Sequence, residues 1–191
     1  MVEPGDARLL DLAARSIRHG LATGRSLPAS ELEVPEDLRR PGAVFVTLKR
    51  QGELRGCIGS PIAWRPLIDD ILDNAHKAAF QDPRFPPLAA REWEEGVELS
   101  VSVLTPPQPM RFKDEADLLA QIRPGIDGLI FEDQGRRGLF LPAVWEALPD
   151  PKQFLLHLKQ KAGLPAHHWS ASVKVHRFEA REIKPQDGRA A

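Results

Sequence analysis

The stretch from Ala43 to Gly59 constrains this chain more than any other. Ala43-Val44-Phe45-Val46-Thr47-Leu48-Lys49 is an apolar, β-branched run, and Glu53-Leu54-Arg55-Gly56-Cys57-Ile58-Gly59 follows a short loop, Arg50-Gln51-Gly52. Two strand-like runs around a glycine-containing loop read as a β-hairpin. With a three-residue loop and Gly52 left-handed, Lys49 faces Glu53, Thr47 faces Arg55 and Phe45 faces Cys57. The opposite face then carries Val44, Val46, Leu48, Leu54, Gly56 and Ile58. A slip of one residue would break that apolar face. In this register Arg55 and Cys57 point the same way, away from the core. An arginine two residues away can favour a thiolate. Gly56 and Gly59 allow a ligand or a second backbone to approach closely. A lone cysteine also serves as a small buried hydrophobe, and the local sequence leaves both readings open.

Cys57 is the one cysteine in 191 residues. That excludes an intramolecular disulfide framework, a cysteine-rich zinc site and an iron–sulfur cluster held by this chain alone, and it fits a reducing compartment. With 26 basic and 27 acidic residues, the net charge is −1. There is no global basic field to draw nucleic acid or anionic lipid, and no aromatic-plus-basic stripe. The N-terminus lacks a basic segment followed by an apolar one, and no apolar run approaches a membrane span. These features predict a cytoplasmic protein.

Along the chain, helices are predicted from Asp6 to Gly20 or Gly24, over 66–80, 89–95 and 113–122, in a short helix from Pro142 through Leu148, and from Asp150 to Ala162. The spacing of Leu67, Ile68, Ile71, Leu72, Ala75, Ala78 and Ala79 marks the buried face of the second helix, with His76 at its edge. Val97-Glu98-Leu99-Ser100-Val101-Ser102-Val103 alternates strictly and predicts a strand. Its polar side carries Glu98, a candidate acid or base if a cleft lies there. A second hairpin is predicted around Gly135, and a last strand over 172–180. Asp82-Pro83-Arg84-Phe85-Pro86-Pro87 cannot form a regular element, because proline fixes φ and removes donors. It reads as a rigid corner. No phosphate loop, dinucleotide fingerprint, serine elbow or His-Glu-x-x-His is present. His167-His168 with His157 or His176 is too common a spacing to predict a metal site, and no cofactor is expected. Mixed helices and hairpins without a βαβ rhythm predict an α+β fold with a largely antiparallel sheet.

Several segments together resemble the AMMECR domain family, whose bacterial and archaeal members are called AmmeMemoRadiSam system protein A. They are 42–48, Leu54-Arg55-Gly56-Cys57-Ile58-Gly59, the corner Ala78–Leu88, Val101–Leu104, Arg123–Ile130 and Leu141–Trp145. The resemblance spans residues 8 to about 180. It implies a two-lobed α+β domain over residues 1–183, with 184–191 as a flexible tail, and a cleft bordered by Arg55–Gly59. It implies a Memo-type protein and a radical S-adenosylmethionine enzyme as partners. It strengthens Arg55, Gly56, Cys57, Gly59, Asp82 and Arg84 as site candidates without assigning any of them a role.

Three functions compete. The chain could be an accessory protein that binds a small anionic ligand, a peptide or a partner, with Arg55 and Arg84 reading negative charge. It could be an enzyme with Cys57 as nucleophile or acyl carrier and Glu98 or His76 as proton partner. A nucleotide- or nucleic-acid-binding module is the third reading, which the charge disfavours.

Overall fold

A computed structural model describes residues 4–185. In chain order the elements are α1 (Pro4–Thr23), β1 (Pro41–Gly42), β2 (Val44–Arg50), β3 (Glu53–Gly59), β4 (Arg65–Pro66), α2 (Leu67–Phe80), α3 (Ala90–Glu95), β5 (Glu98–Leu104), β6 (Gln108–Pro109), α4 (Glu115–Gln121), β7 (Gly128–Asp133), β8 (Arg136–Phe140), α5 (Pro151–Lys161), β9 (Lys174–Phe178) and β10 (Ala180–Ile183). Single 3-10 turns occupy Ala29–Glu31, Glu36–Arg39 and Pro142–Glu146. The fold is α+β, with antiparallel sheets and packed helices. The chain divides into two compact units. One runs to Leu104 and resumes at Arg181; the other is Thr105–Ala180. Of the expected tail, residues 186–191 lie outside the described residues.

The first unit is built on a four-stranded sheet of order β10-β5-β2-β3. Both β3 and β5 run antiparallel to β2. Val44, Val46 and Leu48 are fully buried and pack with Leu99 and Val101 against Ala13 and Ile17 of α1 and Ile71 and Ala75 of α2. One polar anchor fixes α2 to the sheet. The buried Asp70 carboxylate accepts bonds from the Val44 N–H (2.9 Å), the Ser60 hydroxyl (2.5 Å) and Arg65 Nε (2.8 Å). A buried carboxylate persists only when its acceptor capacity is filled in this way.

The hairpin register differs from the expectation. Its turn has two residues, Gln51 (φ 54°) and Gly52 (φ 80°), and Arg50 faces Glu53. Positive φ at both central residues gives a turn whose twist matches the strands, and glycine at the second position suits it. The pairs then run Lys49 with Leu54, Leu48 with Gly56, Thr47 with Cys57 and Phe45 with Gly59. Arg55 is the extra residue of a β-bulge, opposite the step from Leu48 to Lys49. The bulge returns Gly56 and Ile58 to the face of Val46 and Leu48. Leu54, expected on that face, is 39% exposed. Arg55 and Cys57 therefore do not share a simple strand alternation.

Gly56 faces α2 at very close range. A Cβ built there would lie 2.1 Å from the Ala78 carbonyl oxygen. His76, expected at the edge of the helix stripe, is instead buried between Gly20 and Phe80, and its Nδ1 has no partner among the described residues. Burial holds its pKa below the ordinary imidazole value.

The second unit holds a sheet of order β6-β9-β7-β8. Leu129 and Phe131 of β7 pack with Phe154, Leu155 and Leu158 of α5. Asp150 caps α5 by accepting the Gln153 N–H, with Pro151 in the first helical position. The strand expected over 172–180 is two strands. Glu179 interrupts it by exchanging bonds with Thr105, and β10 leaves for the first sheet. Residues 108–109 pair with β9.

Gly56→Ala tests the close approach of α2. The methyl group has no room beside the Ala78 carbonyl, so the variant should lose about 1–3 kcal/mol of stability by urea unfolding. An unchanged urea midpoint would mean that α2 does not sit this close to the strand.

Candidate functional site

β3 is the outer strand of its sheet. In an antiparallel ladder, residues in alternate pairs turn their main-chain N–H and C=O outward. Cys57 is such a residue, and its outward groups are captured. The Asp82 carboxylate accepts the Cys57 N–H at 2.9 Å, and Arg84 Nη2 donates to the Cys57 carbonyl at 3.2 Å. Arg84 also grips Asp82 through Nε and Nη2, at 3.0 and 2.7 Å, and through its main-chain N–H at 3.1 Å. The corner is thus a clamp on the sheet edge, and its prolines keep it rigid.

Arg55 reaches a different partner. Nine-tenths buried, it makes a bidentate pair with Glu92 of α3, both bonds 2.9 Å. Glu92 also accepts the Ala89 N–H, and Arg50 lies 3.7 Å away. The Arg55 guanidinium lies 5.9 Å from the Phe85 ring centre, and its Nη1 is buried without a described partner. The bulge is what aims this side chain at α3. The ion pair raises the arginine's pKa. The hydrogen bonds from Arg55, opposed by burial, lower the Glu92 pKa to about 2. Asp82 is likewise held at about 2, by Arg84 first and then, against burial, by the Cys57 and Arg84 N–H groups.

The glycines have packing duties. Gly56 admits α2, and a Cβ on Gly59 would meet the Phe45 ring at 2.3 Å. Arg55, Gly56, Gly59, Asp82 and Arg84 therefore all have partners within the fold. The Cys57 thiol stands apart. It is half-buried on the sheet face opposite α2 and accepts a bond from the Thr47 hydroxyl at 3.3 Å. Thr47 pairs on its other side with Ser100, so Cys57, Thr47 and Ser100 form one row across three strands. Ser100 is 8% exposed and lines a cavity of about 90 Å³ with Lys49, Glu98 and Glu182.

The proposed proton partners are elsewhere. Glu98 is exposed and sits opposite Lys49. Two residues along and two strands across place it roughly 12 Å from Cys57. His76 lies on α2, which packs on the other face of the sheet. Among the described residues no group of three or more His, Cys, Asp or Glu is arranged to hold a metal. His168 Nε2 donates to the Asp133 carboxylate, which also accepts from the Ser170 and Ser172 hydroxyls. No described helix is long and apolar enough to cross a membrane.

A family model, AMMECR1, matches residues 10–183. The chain belongs to the AMMECR1 family. A Methanothermobacter thermautotrophicus protein is 40% identical over 186 residues, covering 94% of this chain and 93% of the relative. A Thermofilum pendens protein is 38% identical and covers 92% and 87%. The crystal structure of an uncharacterised Pyrococcus horikoshii protein, PH0010, is similar with a TM-score of 0.84 at 37% identity, covering 91% of this chain and 88% of that one. Strand pairing missed two neighbours in this AMMECR1-family chain. The expected pairing sets Thr47 opposite Arg55 and not Cys57, a shift of two residues, one from the shorter turn and one from the bulge. Glu92 as the partner of Arg55 leaves no local signal, because the two lie 37 positions apart in sequence.

The two depressed carboxylates give a pH dependence. Each folded pKa, about 2, lies below the ordinary value of roughly 4, so the unfolded chain takes up protons first as pH falls. Their stabilisation is fully present above that ordinary value and is lost as pH falls from roughly 4.5 to 2. Urea midpoints measured across this range should drop, and Asp82→Asn or Glu92→Gln should flatten the drop. A slope identical in all three proteins would show that neither ion pair forms.

Proposed function

We propose that this AMMECR1-family chain is a binding component, and that the sheet face around Cys57, Thr47 and Ser100 receives its ligand or partner protein. One observation carries the reading. Within Leu54–Gly59 and the Asp82 corner, the glycines, the ion-paired groups and the Cys57 main chain are committed to architecture. The thiol is presented on the other face, with a hydroxyl beside it and the exposed Leu54 further along the same face. Arg55 and Arg84 are already neutralised by bidentate carboxylates, so the support for an anionic ligand read by them is reduced, and a neutral ligand or peptide fits this face better.

The Thr47 hydroxyl donates to the Cys57 thiol. Nucleophilic catalysis also needs a base within hydrogen-bond reach, and neither Glu98 nor His76 is so placed. Binding therefore fits the geometry better than turnover. By resemblance, the partners are a Memo-type protein and a radical S-adenosylmethionine enzyme in the cytoplasm.

The test compares the parent chain with Cys57→Ser in capture of those two proteins, followed by mass spectrometry of retained small molecules. Cys57→Ser should fold normally, with its unfolding free energy within about 0.5 kcal/mol of the parent, as a near-isosteric change at a half-buried site allows. It should retain less ligand or partner. A parent chain that turns over a substrate, with turnover lost and binding kept in Cys57→Ser, would replace the accessory reading with the enzyme.

A further inference from the structure

The two hairpins share a turn but treat their outer strands differently. Both turn on a glutamine–glycine pair with positive φ, Gln51-Gly52 and Gln134-Gly135. In both, the residues flanking the turn face each other, Arg50 with Glu53 and Asp133 with Arg136. Counting from that bonded pair, the ladder turns the main-chain groups of Arg137 and Leu139 outward from β8. The same geometry turns those of Cys57 outward from β3, where Asp82 and Arg84 take them up. No described residue hydrogen-bonds to the main chain of Arg137 or Leu139 outside the sheet. β8 stands last in the order β6-β9-β7-β8. The edge of β3 is clamped at Cys57, and that of β8 is clamped at neither outward residue by any described group.

We infer that the open edge of β8 docks an extended acidic peptide segment, which adds to the second sheet as a further strand. Outward Arg137 and Leu139 offer two donors and two acceptors, the currency of strand addition. The electrostatics favour an acidic occupant. Arg136 and Arg137 are both exposed on this five-residue strand. Arg136 is held by the Gly163 carbonyl, a neutral acceptor, and makes no ion pair among the described residues. Against these cations stand Glu132, paired with Arg137 at 3.0 Å, and Asp133, whose carboxylate is enclosed by His168, Ser170 and Ser172. α5 lies along one face of β8, where a Cβ on Gly138 would come within 2.8 Å of the Ala162 nitrogen and the Leu158 oxygen. An added strand is thus guided by a helix on one side and by Leu139 on the other. A second copy of the chain is the poorer occupant, because pairing β8 with itself would gather two sets of these cations. Cations on an edge deter like copies while attracting acidic partners.

The experiment uses the full chain and a fluorescent octapeptide of alternating glutamate and valine, with a lysine–valine peptide as its counterpart. Anisotropy should show saturable binding of the acidic peptide and at least about tenfold weaker binding of the basic one. Methylating the main-chain nitrogens of one alternate set of peptide residues should abolish binding, while methylating the other set should spare it. The Arg137 and Leu139 amides should exchange more slowly in the complex. The inference fails if neither peptide binds, if both bind equally, or if both methylated forms bind alike. It also fails if β8 instead pairs with β8 of a second copy in a dimer that the acidic peptide cannot dissociate.

Discussion

The fold of the first unit depends on how the edge of β3 is closed. A strand edge with free main-chain groups invites pairing with another chain. Here Asp82 accepts the outward Cys57 N–H, and Arg84, locked to the same carboxylate, donates to the outward Cys57 carbonyl. Two side chains from one proline-stiffened corner imitate a neighbouring strand for the length of one residue. The Arg55 bulge supports the same arrangement from the side, sending its guanidinium to Glu92 and so tying α3 to the hairpin. Gly56 then lets α2 settle against the strand from the core side. The short motif is dense because three packing problems meet within six residues.

This view changes what the motif says about function. Glycines and arginines around a cysteine suggest a cradle for an anion. In the structure the arginines face carboxylates of the same chain and the glycines face backbone and rings. What remains for chemistry is the thiol, its Thr47 donor and the serine beyond it, displayed on the side of the sheet away from α2. A row of one thiol and two hydroxyls can hold a ligand by hydrogen bonds. Among the described residues, neither Glu98 nor His76 lies within hydrogen-bond reach of the thiol.

Much of the fold was legible in the sequence, and the errors have physical causes. Apolar periodicity located α2 and the alternation of β5, because each buries one continuous face in the first core. Proline content marked the Asp82 corner as irregular, and that corner does lie against Cys57. The register failed at Arg55. A bulge adds one residue without any composition signal, and a two-residue glutamine–glycine turn reads as easily as a three-residue loop. The split of the final strand was equally hidden, since it arises from Thr105 bonding with Glu179, seventy-four positions away in sequence. Burial of His76 depends on Gly20 of another helix. Long-range contacts of this kind leave no local trace.

The most direct test of the edge clamp is hydrogen exchange at the Cys57 amide. If Asp82 accepts that proton, the amide should be protected as strongly as those inside the β2–β3 ladder, although it points away from the sheet. Asp82→Ala should release it to fast exchange while the Val46 amide in β2 stays slow. A Cys57 amide that exchanges at open-chain rates in the parent protein would contradict the clamp, and with it the assignment of the motif to architecture.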